Sequence, residues 1–213
     1  MCWSATADLA AGVCVGAIGV VCVARVGRTG AARDLPLAAL PLLLGAHQIV
    51  ESVVWDAGGG AGPATIVWAV IALPLLALWV PLAVLSAAPA GPRRRVLVLP
   101  VALGVAVAAV LAHSLATRTV TADIRGHTIG YAVHLPSPAL VVAGYLLATV
   151  GALLLSGDRT VRLLGVLVAV GAVVCAVIWR LAFVSTWCAF AALASVVVLG
   201  WAWRRTPAPR PAA

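Results

Sequence analysis

The chain has 213 residues, of which 64% are hydrophobic and 9% charged, and its mean hydropathy is +1.15. A soluble domain is typically about 45–50% apolar and about a quarter charged, so this composition excludes a water-soluble globule, a disordered chain and a nucleic-acid-binding domain despite a formal charge of +8. All fourteen basic residues are arginine, which removes the lysine that a retinal or pyridoxal Schiff base or a Walker-type phosphate loop requires. What remains is an integral membrane protein whose first partner is the lipid bilayer.

A helix needs about 20 mostly apolar residues to cross the hydrocarbon core. Seven stretches qualify in chain order, at roughly 5–24, 35–55, 63–86, 96–117, 137–156, 161–179 and 183–203. The first is read as a retained span, because it lacks a basic leader region and Asp8 stands where one would be. Cys14 has no preceding positive charge, so a lipoprotein cysteine is not expected there. Gly12 and Gly16 form a small-xxx-small pair that lets this helix approach a neighbour closely. Pro41, Pro74, Pro81 and Pro100 fall inside spans and predict kinks.

The arginines set the orientation. Arg25, Arg28, Arg33, Arg93, Arg94, Arg95, Arg159, Arg162, Arg204, Arg205 and Arg210 fall on one side of the seven-span frame, and Arg118, Arg125 and Arg180 on the other. The positive-inside rule then puts the N-terminus outside and the C-terminus in the cytoplasm. An even number of crossings would break that alternation. The expected fold is therefore all-α, a single seven-helix transmembrane bundle over residues 1–203 in the cytoplasmic membrane, with a cytoplasmic disordered tail at 204–213.

The longest connection, about 118–136, lies outside between the fourth and fifth spans. Val120, Ala122 and Ile124 alternate with polar residues, as do Ile129, Tyr131 and Val133 after Arg125-Gly126. This period-2 pattern around a glycine turn predicts a short β-hairpin, with a disordered loop as the alternative. Pairing would put Val120, Ile124, His127, Ile129 and Tyr131 on one face, lying on the helix ends.

Ionisable residues within a membrane are expensive and each invites a functional reading. His47 and Glu51, four apart, share a helix face with Gln48 beside them, and Glu51 lies about 6 Å further out. His113, His127, His134 and Arg180 fall at or above the same outer level, whereas the inner half is nearly bare of polar side chains. A transport path needs polar groups at successive depths, so transport is disfavoured. The candidate cluster is His47, Gln48, Glu51, His113, His127 and Arg180. Its structural reading has Glu51 pairing with Arg180 or with Ser and Tyr hydroxyls. Its chemical reading is a divalent-metal site such as zinc on His47, Glu51 and His113, with an open position to activate water for hydrolysis. Haem on two histidines has no other sequence cue. Cys2 and Cys188 both lie near the outer face, where either a disulfide or two packed free thiols fits.

Several of these residues also carry a family resemblance. Met1-Cys2-Trp3-Ser4-Ala5, His47-Gln48-x-x-Glu51-x-x-x-Trp55, Gly126-His127-x-Ile129-x-Tyr131 and Ser185-x-Trp187-Cys188-x-Phe190 together resemble an uncharacterised bacterial membrane family whose members begin Met-Cys-Phe-Ser-Ala. Trp3 replaces the usual phenylalanine and Ala189 the usual aromatic residue. That resemblance implies a shared architecture and polar cluster in a bacterial inner membrane, without a reaction. Seven-helix membrane hydrolases of the alkaline ceramidase and adiponectin-receptor type are a more distant analogy, since the paired histidines on their last helix have no counterpart here. The leading expectation is a binding or sensing bundle for a small-molecule or lipid ligand; the alternative is the metal-dependent hydrolase.

Overall fold

A computed structural model describes residues 4–178 and 183–205, with the side chains of 175–189 excepted. The chain runs through helix α1 (Ala5–Arg28), a 3-10 turn (Ala32–Asp34), α2 (Leu35–Ala38), α3 (Leu40–Asp56), α4 (Pro63–Val70), a π-helical segment (Ile71–Leu75), α5 (Leu76–Ala87), α6 (Pro92–Val96) and α7 (Val98–Thr117). Strands β1 (Thr121–Arg125) and β2 (Thr128–Ala132) follow, then α8 (Pro138–Leu155), α9 (Arg159–Ile178) and α10 (Phe183–Trp203). Among the described residues, five stretches are long and apolar enough to cross a membrane: Ala5–Arg28, Ala32–Asp56, Pro63–Ala87, Pro92–Thr117 and Pro138–Leu155. The protein is thus a mostly helical bundle of multi-pass membrane type with one small sheet.

The prolines explain where the helical ladder breaks. Proline lacks the N–H that would bond the carbonyl four residues back. Pro41 leaves Leu37 without that partner near the α2–α3 break, and Pro100 leaves Val96 without it where α6 gives way to α7. Pro74 does the same to Val70, the last residue of α4. There the chain adopts a π turn, in which the Leu76 N–H bonds Ile71 O, five residues back. The freed Ala72 carbonyl accepts the Tyr145 hydroxyl from α8 at 2.8 Å, so the polar group finds a partner from a neighbouring helix. Pro81 is absorbed within α5 without a break.

Helix α1 buries Asp8, Gly12, Val15, Gly19, Cys22 and Val26, an alternating 4-3 spacing that makes one continuous seam. That seam lies on α3 at backbone distance. A Cβ on Gly45 would come 2.6 Å from Gly16 N and 2.8 Å from Gly12 O, and one on Gly19 would come 2.6 Å from Leu42 N. The expected close approach is present, and it extends beyond Gly12 and Gly16 to Gly19 and to Gly45 on the partner helix.

The hairpin forms as an antiparallel pair with Ala122 opposite Tyr131 and Ile124 opposite Ile129. Gly126, at φ +61°, takes the first position of a two-residue turn, the glycine-first pattern of a type II′ loop. Val120, Ala122 and Ile129 are buried with Val54, Trp68 and Ala69 in a core beneath the hairpin. His127 departs from expectation. It stands exposed at the turn rather than lying down with the apolar face, because the turn residue falls past the last strand pair, Arg125–Thr128. Gly58, Gly59 and Gly60, all with φ between +74° and +80°, curl the α3–α4 connection against β1. Gly60 and Ala122 exchange both backbone hydrogen bonds, at 2.8 and 3.0 Å. Only glycine takes such a run comfortably, and a side chain at Gly59 would strike Ala122 O.

The opposite end carries most of the arginines. Arg93, Arg94 and Arg95 begin a helix rather than sitting in a loop. Two arginines that the sequence reading gave to the tail are engaged with the bundle: Arg205 Nε meets buried Asp34 Oδ2 at 3.2 Å, and Arg204 bonds the Thr160 hydroxyl. A guanidinium held by a buried carboxylate has little freedom left.

Candidate functional site

At the hairpin end, α1, α3, α4 and β2 bring together polar and aromatic side chains that are far apart in sequence. Along α3, Gly45, Gln48, Ser52 and Trp55 recur at 3-4-3 spacing on the stripe that meets α1. His47, Glu51 and Val54 fall on an adjacent stripe. Asp8 and Glu51 are each fully buried, Gln48 is 1% exposed and His47 8%. Burying a carboxylate is costly unless it is hydrogen-bonded, and both find donors. The Trp55 indole N–H donates to Asp8 Oδ2 at 2.8 Å, tying the top of α3 to the first turns of α1. The Tyr131 hydroxyl, from β2, donates to Glu51 Oε1 at 3.3 Å.

Aromatic rings roof this cluster. Tyr131 stacks on Trp68 with ring centroids 3.4 Å apart and planes 4° from parallel. The His47 ring lies 5.0 Å from Trp68 at 43°. One tyrosine thus performs two tasks: its ring seals against α4 and its hydroxyl reaches Glu51. His47 Nε2 is buried and has no hydrogen-bond partner among the described residues. The arrangement can orient a small polar group at that nitrogen, against the Trp68 ring and one helical turn from Glu51.

The expected residues divide as follows. His47, Gln48 and Glu51 come together. His113 does not join them: it is exposed on α7, whose buried seam runs Pro100, Gly104, Val107, Leu111 and Ser114. One residue before Ser114 puts His113 about 100° off that seam. His127 and His134 are exposed in the hairpin region. Among the described residues no group of three His, Cys, Asp or Glu side chains could hold a metal ion, so the metal set His47, Glu51 and His113 is not assembled. Arg180, Cys2 and the side chain of Cys188 lie outside what the structure describes, and with them the suggested ion pair and disulfide.

Asp8, Trp55, Trp68 and Tyr131 were not among the candidates. Asp8 had a usable signal, as an acid within an apolar run. Tyr131 had one in its phase along the hairpin. Trp68 had none, being one large apolar residue among many.

A bundle of apolar helices with a buried His/Gln/Glu cluster capped by a β-hairpin defines a polytopic protein of membrane type. The chain belongs to DUF6629, a family of unknown function, which it matches over residues 1–213. No curated protein and no solved structure matches it.

Proposed function

We propose that this chain is a seven-span protein of the cytoplasmic membrane, with the hairpin outside and the arginine-rich end inside. Its capped cluster binds a small polar ligand, in a binding or sensing role. The single observation that carries the ligand reading is His47 Nε2, buried against Trp68 with no hydrogen-bond partner among the described residues. An unsatisfied buried polar atom costs about 1–3 kcal/mol, a cost that a ligand group docking there would remove. The hairpin supplies the moving part in this reading, since Tyr131 both roofs the cluster and touches Glu51.

The seven-span count adds α9 and α10, of 20 and 21 residues, to the five long apolar stretches, each about 30 Å long at helical rise. The asymmetry of the arginines supports the orientation. A reporter fused after Arg95 should read cytoplasmic; an external reading would overturn the orientation. The hydrolase alternative draws no support from His113, which is exposed beside the buried seam of α7.

Native mass spectrometry of protein extracted from its own membrane tests the ligand reading. The expected result is a co-purified small molecule that His47→Phe loses while remaining folded. Retention of the same molecule by His47→Phe, or its absence from the wild type, would sink the proposal.

A further inference from the structure

The arginine-rich end contains a cavity of about 310 Å³, lined by Arg93, Ser156, Asp158 and Arg205 with apolar walls that include Val84 and Leu97. Its charged residues come from three separate parts of the chain. Arg93 belongs to α6, Asp158 to the turn between α8 and α9, and Arg205 follows α10. Two guanidinium groups and one carboxylate line it, but Arg205 is shared between Asp158 and buried Asp34, which leaves Arg93 as the guanidinium without a carboxylate partner among the described residues.

That carboxylate is already engaged. Asp158 Oδ1 accepts the N–H groups of Thr160 at 2.8 Å and Val161 at 3.4 Å, capping the start of α9. Its Oδ2 stands 3.8 Å from an Arg205 nitrogen, and Arg205 also holds Asp34. Arg93 differs from Arg205. It is exposed and makes no ion pair among the described residues. A Cβ on Gly157 would come 3.6 Å from its side chain, so the guanidinium lies along the α8–α9 turn with its donors available. Such a planar fork matches phosphate oxygens, which it can grip with two parallel hydrogen bonds.

The location selects among phosphates. Arg93 sits in the first turn of the apolar stretch Pro92–Thr117, and the cavity opens among the ends of membrane-length helices. Lipid headgroups lie at that level, and basic residues just beyond a membrane helix attract anionic lipids. Ala88 and Pro89, half-buried and exposed on the same wall, offer the lipid's glycerol and first methylenes an apolar surface. We propose that this cavity seats the phosphodiester of an anionic phospholipid, with Arg93 as its grip and the Asp34–Arg205–Asp158 set as its fixed polar wall. The site is independent of the cluster at the hairpin end.

The test uses the full chain in nanodiscs containing dioleoylphosphatidylglycerol and dioleoylphosphatidylcholine, followed by native mass spectrometry of the released protein. Wild type should retain phosphatidylglycerol in preference to phosphatidylcholine. Arg93→Ala should weaken that retention about fivefold, and Arg93→Lys, which keeps the charge but not the fork, should fall between. Arg94 lines a different groove with Leu85, Arg95 and Val98, so Arg94→Ala should stay close to wild type. Equal losses in the Arg93 and Arg94 variants would mean diffuse attraction to a basic surface and overturn the site. So would an absence of preference between the two lipids. In detergent, displacement of the retained lipid by excess inorganic phosphate, with the same dependence on Arg93, would assign the cavity to a soluble anion instead.

Discussion

The two ends of the bundle bury carboxylates in different company. At the hairpin end the described donors to Asp8 and Glu51 are an indole N–H and a phenol hydroxyl, 2.8 and 3.3 Å away. At the arginine end Asp34 meets a guanidinium at 3.2 Å, and that guanidinium also lies over the Trp201 ring, 4.3 Å from its centroid. The first arrangement rests on neutral donors, one of them carried by a two-stranded hairpin. The second fastens the end of the last helix to the start of α2 through opposite charges, and serves as an anchor.

The comparison can be erased altogether by separating α1 from α3, which carry both ends. Gly45→Leu would drive side-chain atoms into the backbone of Gly12 and Gly16. Thermal unfolding in detergent should show a loss of about 3 kcal/mol or failure to fold. Gly16→Ala, whose Cβ meets nothing within 4 Å, should remain near wild type; equal damage from both would refute the packing described for this seam. Next in size, Asp34→Ala leaves Arg205 without its buried partner and should cost about 3 kcal/mol. Hydrogen exchange should accelerate in the last turns of α10 and leave the hairpin unchanged. Asp123, paired with Arg125 where both side chains are more than half exposed, provides the contrast, since Asp123→Ala should change stability by less than about 0.5 kcal/mol.

Smaller effects belong to the hairpin end. Trp55→Phe keeps the ring but removes the donor to Asp8, for an expected loss of about 1.5–2 kcal/mol and faster exchange in the first turns of α1. Tyr131→Phe retains the stack on Trp68 and gives up one long hydrogen bond, so about 1 kcal/mol or less is expected. Its informative readout is local: exchange across β1 and β2 should rise while α10 stays protected. Equal exchange at both ends would mean that the hairpin and the anchor open together.

The apolar runs announced the long helices because their composition is set by the bilayer. Gly126 announced the hairpin turn because few residues tolerate its backbone angle. His47 and Glu51 were legible as a pair for a different reason, that polar residues in such a chain are scarce. Spacing along a helix gives height far more securely than it gives facing. That is why His113 matched the height of the cluster yet lies off the buried seam of α7, where nearly every neighbour is apolar on all sides. The anchor of Arg205 on Asp34 was equally hidden, since it joins residues 171 positions apart in a sequence where arginine counts read first as a topology signal. Trp68 acquires meaning only from Tyr131 above it.

The π turn at Ile71–Leu75 has a geometric consequence for the two halves of its span. One additional residue in a helical turn shifts everything beyond it by about 100° of rotation and 1.5 Å of rise. That phase slip brings Ala77, Val80 and Val84 of the second half onto the same side of the rod as Thr65, Trp68 and Ala69 of the first. Deleting one residue there would therefore act less like trimming a chain than like turning a key. Half the span would keep its neighbours, and the other half would swing its inward face away from the core.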